Sequence, residues 1–226
     1  MSPSTRPSPD FAAWCEAHRA RLEAALARAL PAGEHSAGGL FEAMRYGALG
    51  GGKRLRALLA YASAEAVGAG AALADHAAVA LELIHAYSLI HDDLPCMDDD
   101  ALRRGKPTTH VVFGEAIAML AGDAMQPLAF AVLTAMPASA QGRIQAVAEL
   151  ARASGAAGMA GGQAIDLAHV GRSMTIEALS EMHRLKTGAM FEAAVVLPAL
   201  AVEAAAETVS ALRAFARPRG GCFKGL

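Results

Sequence analysis

The chain has 226 residues, which is enough for one well-buried domain or at most two small ones. Its 20 basic and 22 acidic residues give a formal charge of −2, so it lacks the basic excess of a dedicated nucleic-acid binder. Hydrophobic residues make up 54% of the chain and aromatic residues only 5%. A core of alanine, leucine, valine and methionine favours helices over sheets, and we predict an all-α protein.

The N-terminal segment, residues 1–9, is rich in serine and proline, and we predict that it is disordered. It has no apolar stretch before its first charges, so it does not resemble a secretory signal. The cysteines Cys15, Cys96 and Cys222 are far apart and fit neither a disulfide framework nor a zinc site. We therefore predict a reduced, cytoplasmic location. Prolines interrupt the longest uncharged run, 124–142, so no membrane span is predicted there.

Helical periodicity predicts a surface helix over 11–30 and a second helix over 40–49. Three glycines at 50–52 separate this pair from an apolar run that reaches residue 67. A long helix is predicted over 73–91. Further helices are predicted over 109–121, 123–135, 140–160, 175–189 and 189–215. Because the connections are short and no segment repeats, we predict a single antiparallel helical bundle over residues 10–216.

Five aspartates lie between positions 92 and 100, directly after the long apolar helix. Such a density of carboxylates is repulsive unless cations are present. Mg²⁺ suits such a site because it binds carboxylate oxygens and is completed by water and substrate phosphates. Pro95 disturbs the helix, so Asp98 is expected to return toward Asp92. The alternative is an acidic surface loop that caps the next helix.

Basic residues accompany this acidic run on both sides in sequence. Arg103, Arg104 and Lys106 follow it, and Lys53 and Arg56 share one helix face in GGKRLR. Alternating acidic and basic groups suit a site that holds metal ions together with diphosphate, since arginine binds phosphate oxygens in pairs. A solvated helix start is the alternative for Lys53 and Arg56.

His85 lies two helical turns before Asp92 on the same face, flanked by Ile84 and Ala86. We expect it to point inward, toward the charged end of the bundle, and to contact a diphosphate. The alternative is an ordinary core histidine.

Taken in order, the motifs GGKRLR, LELIHAYSLIHDDLPCMDDDALRRGKPT, GGQAIDL and LKTGAMF resemble those of bacterial farnesyl diphosphate synthases, members of the trans-polyprenyl diphosphate synthase family. The resemblance extends from about residue 35 to residue 215. It implies the isoprenoid synthase fold, a magnesium cofactor and a homodimer.

The resemblance also implies roles for particular residues. Asp92 and Asp98 correspond to magnesium ligands, with Asp93 in support. The residues expected to bind isopentenyl diphosphate are Lys53, Arg56, His85 and Arg104. Those expected at the allylic diphosphate are Arg103, Lys186, Thr187, Gln163 and Asp166. The alternative for Gln163 and Asp166 is a helix-capping or interhelix hydrogen bond. Asp92, Asp93, Asp98, Arg103 and Lys186 are expected to take part in catalysis.

The implied reaction ionises an allylic diphosphate, dimethylallyl or geranyl diphosphate, and adds isopentenyl diphosphate to the resulting cation. Cationic groups stabilise the departing pyrophosphate, and a dry helical cavity protects the cation from water. Tyr87 and Ser88 lie shortly before Asp92, where a bulky wall would limit the product to farnesyl diphosphate. Geranyl diphosphate is the near alternative.

The resemblance ends after Ala216. The family continues there into a helix with a second aspartate-rich motif, whereas this sequence reads RPRGGCFKGL and has no acidic residue after Glu207. We predict that residues 217–226 are an aberrant tail, that the last helices of the bundle are missing, and that the chain is truncated or frameshifted. Turnover is then in question. A non-catalytic partner subunit of a prenyl synthase is the alternative function. A terpene cyclase would not need GGKRLR or the arginine pair.

Overall fold

The computed structural model describes residues 9–33 and 37–217. Its α-helices are α1 (Pro9–Ala29), α2 (Leu40–Ala48), α3 (Leu55–Ala66), α4 (Ala71–Asp92), α5 (Thr109–Phe113), α6 (Glu115–Thr134), α7 (Ala140–Ser154), α8 (Met159–Ala168), α9 (Ile176–His183), α10 (Ala189–Ala201) and α11 (Ala206–Ala216). A 3-10 turn (Ala37–Gly39) precedes α2, and a π-helical turn (Arg184–Gly188) joins α9 to α10. The predicted all-α class is confirmed. The predicted disorder of 1–9 and the tail 217–226 fall outside the described residues, apart from Pro9 and Arg217.

A short hairpin follows the acidic run. Its strands β1 (Leu102–Arg103) and β2 (Lys106–Pro107) pair antiparallel, with Arg103 opposite Lys106. No periodic pattern could predict it, since two residues per strand are too few to show an alternation. The hairpin turns the basic residues that follow the aspartates back toward α4.

The predicted helix boundaries between 109 and 135 are wrong. The helix breaks at Gly114, whose φ of 84° only glycine adopts easily, and α6 then runs unbroken through Pro127. Proline removes one backbone hydrogen bond, but packing compensates because Met125, Ala129 and Leu133 on either side are fully buried.

Two other predicted helices are each divided in the structure. The helix expected over 140–160 ends at Ser154, and α8 begins separately at Met159. The helix expected over 189–215 stops at Ala201, where Glu203 takes a left-handed φ of 54°. Alanine-rich sequence keeps helical periodicity across such breaks, so the pattern alone hides them.

Helix α4 is the central element and packs against α3, α6 and α10. It is apolar on all sides, and Leu81, Leu83 and Ile84 are fully buried. A helix that is apolar all round belongs in a core. Its last turn therefore carries the first aspartates from the core to the edge of the bundle.

Two helices, α4 and α6, are long and apolar enough to cross a membrane by length and composition alone. In α4, 67% of the most apolar window is buried inside the protein, as expected for a core helix. In α6 the buried share is 33%, so this helix presents an apolar face to the outside. That is weak evidence for a membrane span, because core and interface helices pass the same test.

Candidate active site

The aspartate run forms a tight turn at the end of α4. The Asp98 amide donates to the Asp92 carbonyl oxygen at 2.8 Å, so the chain turns back on itself across Leu94 and Pro95. The prediction that Asp98 returns toward Asp92, based on the helix-disturbing Pro95, is confirmed for the backbone. Burial raises the pKa of the Asp92 carboxyl to about 6, with the charges of Lys186 opposing this shift and those of Asp98 adding to it. Asp98 is exposed, so the pair faces an open side.

Asp93 has a different environment from Asp92. It is 3% exposed, and the Arg103 Nε donates to both of its carboxylate oxygens at 2.9 Å, with Nη2 donating at 2.6 Å. This hydrogen bonding raises the pKa of the Arg103 guanidinium. Asp93 therefore ties β1 to the end of α4 and is not available to a cation, whereas Asp92 and Asp98 form no ion pair within the described residues.

The glycine loop, residues 49–54, lies against the same hairpin. All its glycines have positive φ, and a side chain on Gly52 would come within 2.5 Å of Arg104 Nη1. Arg104 donates from Nη1 to the Gly51 carbonyl oxygen at 2.9 Å. Only glycine allows this close approach in this conformation. The loop carries Lys53, so the prediction that Lys53 and Arg56 share one helix face is wrong, because α3 begins only at Leu55. Lys53 is exposed and makes no ion pair within 9–33 and 37–217.

Arg56 and His85 lie close enough for the charge of Arg56 to act on His85. The Arg56 Nε is buried without a hydrogen-bond partner among the described residues, and its guanidinium lies 5.1 Å from the Phe191 ring centroid. Burial lowers the pKa of His85 to about 2, and the charges of Arg56 and Arg104 lower it further. His85 is therefore a neutral hydrogen-bonding group among arginines, a setting suited to an anion.

Helix α8 and the π-helical turn complete the site from the other side. Gly162 packs so closely that an added side chain would lie 2.1 Å from the Lys186 amide nitrogen. The Lys186 Nζ donates to Asp166 Oδ2 at 2.7 Å. The π-helical geometry, which often marks functional sites, turns Lys186 toward Asp92, whose pKa it affects.

Gln163 is the clearest unsatisfied group of this region. Both its Oε1 and its Nε2 are buried without a partner among the described residues. The alternative of a structural hydrogen bond therefore does not hold for Gln163, although Asp166 does make an interhelix contact. A buried amide without partners is costly, which indicates a site completed by a ligand or water.

The remaining predicted residues have fewer contacts. Thr187 is half-buried in the π-helical turn. Tyr87 is 9% exposed and stacks edge-on with His91, with ring centroids 5.7 Å apart. The Ser88 hydroxyl donates to the His85 carbonyl oxygen at 2.9 Å.

Sequence reasoning missed three side chains of the site. Phe191 lies under the Arg56 guanidinium, and Arg54 and Glu82 form a buried ion pair at 3.1 Å behind the glycine loop. A signal for Glu82 was present, because a lone acid inside the apolar stretch ALELIHA requires a buried partner. Nothing in the sequence distinguishes Phe191 from a core residue.

The donor set fits a magnesium ion that the substrate completes. No group of three or more His, Cys, Asp or Glu residues in the described ranges is arranged to hold a metal by itself. Asp92 and Asp98 offer two carboxylates at an open edge beside cationic groups. This suits Mg²⁺, which often takes one or two carboxylates and obtains its other ligands from water and phosphates.

Comparison with known proteins finds relatives that all make prenyl diphosphates, according to their names. The polyprenyl synthetase family matches residues 39–224. Farnesyl diphosphate synthase of Escherichia coli is 58% identical over 162 residues, which are 70% of this chain and 54% of that protein. A probable farnesyl diphosphate synthase of Sinorhizobium fredii is 49% identical over 187 residues, 83% of this chain and 56% of that protein.

Solved structures agree with this. The apo crystal structure of an FPP/GFPP synthase from Zymomonas mobilis matches with a TM-score of 0.87 and 40% identity, over 92% of this chain and 76% of that chain. The predicted isoprenoid synthase fold is therefore confirmed. The chain spans about half the length of the curated relatives that it matches. On these grounds the chain belongs to the polyprenyl synthetase family.

Proposed function

We propose that this chain condenses isopentenyl diphosphate with dimethylallyl or geranyl diphosphate and releases farnesyl diphosphate and pyrophosphate. The observation that carries the proposal is that cationic side chains meet the half-buried Asp92 and the exposed Asp98 at one end of the bundle, near Arg56 and His85. The names of the relatives support the substrate class, since several are farnesyl diphosphate synthases. Geranyl diphosphate is the nearest alternative product.

In this proposal, isopentenyl diphosphate binds at the glycine loop. Arg56 offers a half-buried guanidinium whose buried Nε has no partner among the described residues, and His85 donates one neutral hydrogen bond. Lys53 and Arg104 close the pocket from the exposed side. Four donors around one buried position suit a diphosphate, whose oxygens accept several charge-assisted hydrogen bonds.

The allylic diphosphate binds between the aspartates and α8. Mg²⁺, held by Asp92 and Asp98, would supply charge neutralisation for the departing pyrophosphate. Lys186 donates to the same phosphate oxygens, either after leaving Asp166 or while still bonded to it. Arg103 adds a second cationic group from β1, and its hydrogen bonds to Asp93 orient it. Charge that develops on the leaving group thus meets fixed cations.

The hydrocarbon part of the substrate lies on the apolar side of this site. Gln163 and Thr187 line its entrance from α8 and the π-helical turn, and the apolar bundle excludes water from the allylic cation. The double bond of isopentenyl diphosphate attacks this cation, and a proton leaves to the pyrophosphate. Tyr87 and Ser88 lie one turn before Asp92 and limit the length of the product.

We further propose that the chain acts as a cytoplasmic homodimer. The apolar face shared by α5 and α6 carries the exposed side chains Val111, Val112, Met119 and Leu120. An exposed cluster of this kind is typical of an association surface. Sedimentation of the chain at several concentrations tests the dimer, and Leu120→Glu is expected to shift it to the monomer.

The proposal is tested with the whole chain, Mg²⁺, isopentenyl diphosphate and geranyl diphosphate. Formation of farnesyl diphosphate, detected by mass spectrometry, is the expected result, and Asp92→Ala serves as the inactive control. Binding of isopentenyl diphosphate without any product would instead favour a non-catalytic partner subunit. Absence of both binding and product would contradict the proposal.

A further inference from the structure

Arg54 lies between Lys53 and Arg56 in the basic motif, at the residue that directly precedes α3. It caps the start of α3 in a left-handed conformation, with φ 52° and ψ 33°, and is only 9% exposed. This conformation is uncommon for a residue with a side chain and needs support from its surroundings. Lys53 precedes it and Arg56 follows two residues later, so any movement of Arg54 displaces both.

The Arg54 guanidinium is held by three separate elements. Its Nε and Nη2 donate to Glu23 Oε1 on α1 at 2.9 and 2.7 Å, and its Nη1 donates to Glu82 Oε2 on α4 at 3.1 Å. Its Nη2 also donates to the Ala48 carbonyl oxygen at the end of α2, at 2.8 Å. The planar guanidinium suits such divided bonding, whereas a lysine ammonium does not.

Glu82 extends this support to α3 itself. It is 2% exposed, and its second oxygen, Oε1, accepts a hydrogen bond from the Ala57 amide at 3.3 Å. Ala57 lies in the first turn of α3, where backbone amides have no partner within the helix. Glu82 thus holds both Arg54 and the helix start that carries Arg56.

We propose that Arg54 is a positioning residue, which together with Glu23 and Glu82 fixes the glycine loop and α3 so that Lys53 and Arg56 face a diphosphate. The inference rests on the proposed function, because it assigns a task to the pocket for isopentenyl diphosphate. In this proposal Arg54 does not contact that ligand itself, since each of its three nitrogens already donates to Glu23, Glu82 or the Ala48 carbonyl oxygen. It acts through Lys53 and Arg56.

The test compares the variants Arg54→Lys and Glu82→Gln with the wild-type chain. Hydrogen exchange of residues 49–57 in the ligand-free protein measures how firmly the loop is held. Calorimetric titration with isopentenyl diphosphate, without Mg²⁺, measures the affinity. Arg213→Lys is the matched control, because it alters an arginine bonded to the buried Glu149 on the other side of the bundle.

Both variants are expected to speed exchange over 49–57 and to weaken binding about tenfold, and Arg213→Lys is expected to change neither. Wild-type exchange and affinity in both variants would overturn the proposal. Weaker binding with unchanged exchange would also overturn it, because Arg54 would then be a ligand itself. So would equal weakening in Arg213→Lys, which would indicate general destabilisation.

Failure of the proposed function has a different signature. If the wild-type chain binds no isopentenyl diphosphate, that function fails, while the exchange measurement still decides whether Arg54 holds the loop. If circular dichroism shows that Arg54→Lys does not fold, Glu82→Gln decides alone, because glutamine keeps the size of the side chain and an oxygen for the Ala57 amide.

Discussion

The site has an arginine half and an aspartate half, which differ in how firmly the folded chain already holds their side chains. In the arginine half, Arg54 and Arg104 are hydrogen-bonded to the surrounding backbone and the half-buried Arg56 lies over the Phe191 ring. In the aspartate half, burial and the charge of Asp98 both raise the pKa of Asp92. The first half is held in place by the fold, whereas the second places carboxylates close together, an arrangement that a cation stabilises.

The largest expected effect is on the affinity for isopentenyl diphosphate, which should depend on the arginine half without any need for magnesium. Arg56→Ala is expected to weaken isopentenyl diphosphate binding about 100-fold with or without Mg²⁺, because it removes charge-assisted hydrogen bonds from a buried site. Asp92→Ala is expected to leave the magnesium-free affinity within about twofold of wild type, because Asp92 serves only the cation half. Titration calorimetry with EDTA or Mg²⁺ measures both. An equal loss in the two variants would contradict the division.

The second prediction concerns the pH dependence of the aspartate half. With an Asp92 pKa of about 6, metal binding must displace a proton below that pH. The affinity for Mg²⁺ with pyrophosphate is expected to fall about tenfold per pH unit below about pH 6. Calorimetry in buffers of different ionisation enthalpy measures the released proton. Pyrophosphate also releases a proton when it binds Mg²⁺, so in Asp92→Asn the release should fall by the share that Asp92 contributes. A release of undiminished size would assign that share to another group.

The third prediction concerns the arginine half in the absence of ligand. The pKa of His85 is about 2 in the folded chain, and the ordinary histidine value is near 6.5. The unfolded chain therefore binds more protons between these values, and stability rises with pH across this window. Because of His85, the free energy of unfolding is expected to fall by about 1.4 kcal/mol for each pH unit below about pH 6.5. Urea unfolding should show a shallower acid dependence in His85→Gln, and an unchanged slope would refute the assignment.

The smallest expected effect is on stability at neutral pH. The raised pKa of Asp92 means that its ionisation destabilises the fold above about pH 6, and this cost vanishes below about pH 4. Asp92→Asn is expected to stabilise the ligand-free chain by about 1 kcal/mol at neutral pH, allowing for solvent screening of a partly exposed group.

Thermal and urea unfolding at neutral and acid pH check this value. Asp99→Asn is the control, since it neutralises an exposed aspartate of the same run and asparagine tolerates the left-handed φ of 55°. It should stay within about 0.5 kcal/mol of wild type. An equal gain in both variants would mean that the net charge of the run, not the burial of Asp92, is responsible.

The two halves also differ in how well the sequence predicted them. The sequence was sufficient to predict the turn at Pro95 that brings Asp98 back toward Asp92, because charge density and a helix breaker are local features. Arg103 could be expected near the aspartates but not its bidentate bond to Asp93, which depends on a hairpin of two-residue strands. The break at Gly114 and the continuity through Pro127 were misjudged, because burial of the flanking residues outweighs local propensity.

By itself, the sequence determined the helical class, through composition and periodicity, and the identity of the charged motifs, whose resemblance to a known family indicated the family. Only the tertiary structure decided which charges are available. It paired Arg54 with Glu82 over 28 positions and Lys186 with Asp166 over 20, and it left Gln163 and the Arg56 Nε without partners in the described part of the chain. Such pairings depend on which helices become neighbours, and burial then fixes the energy of each unpaired group.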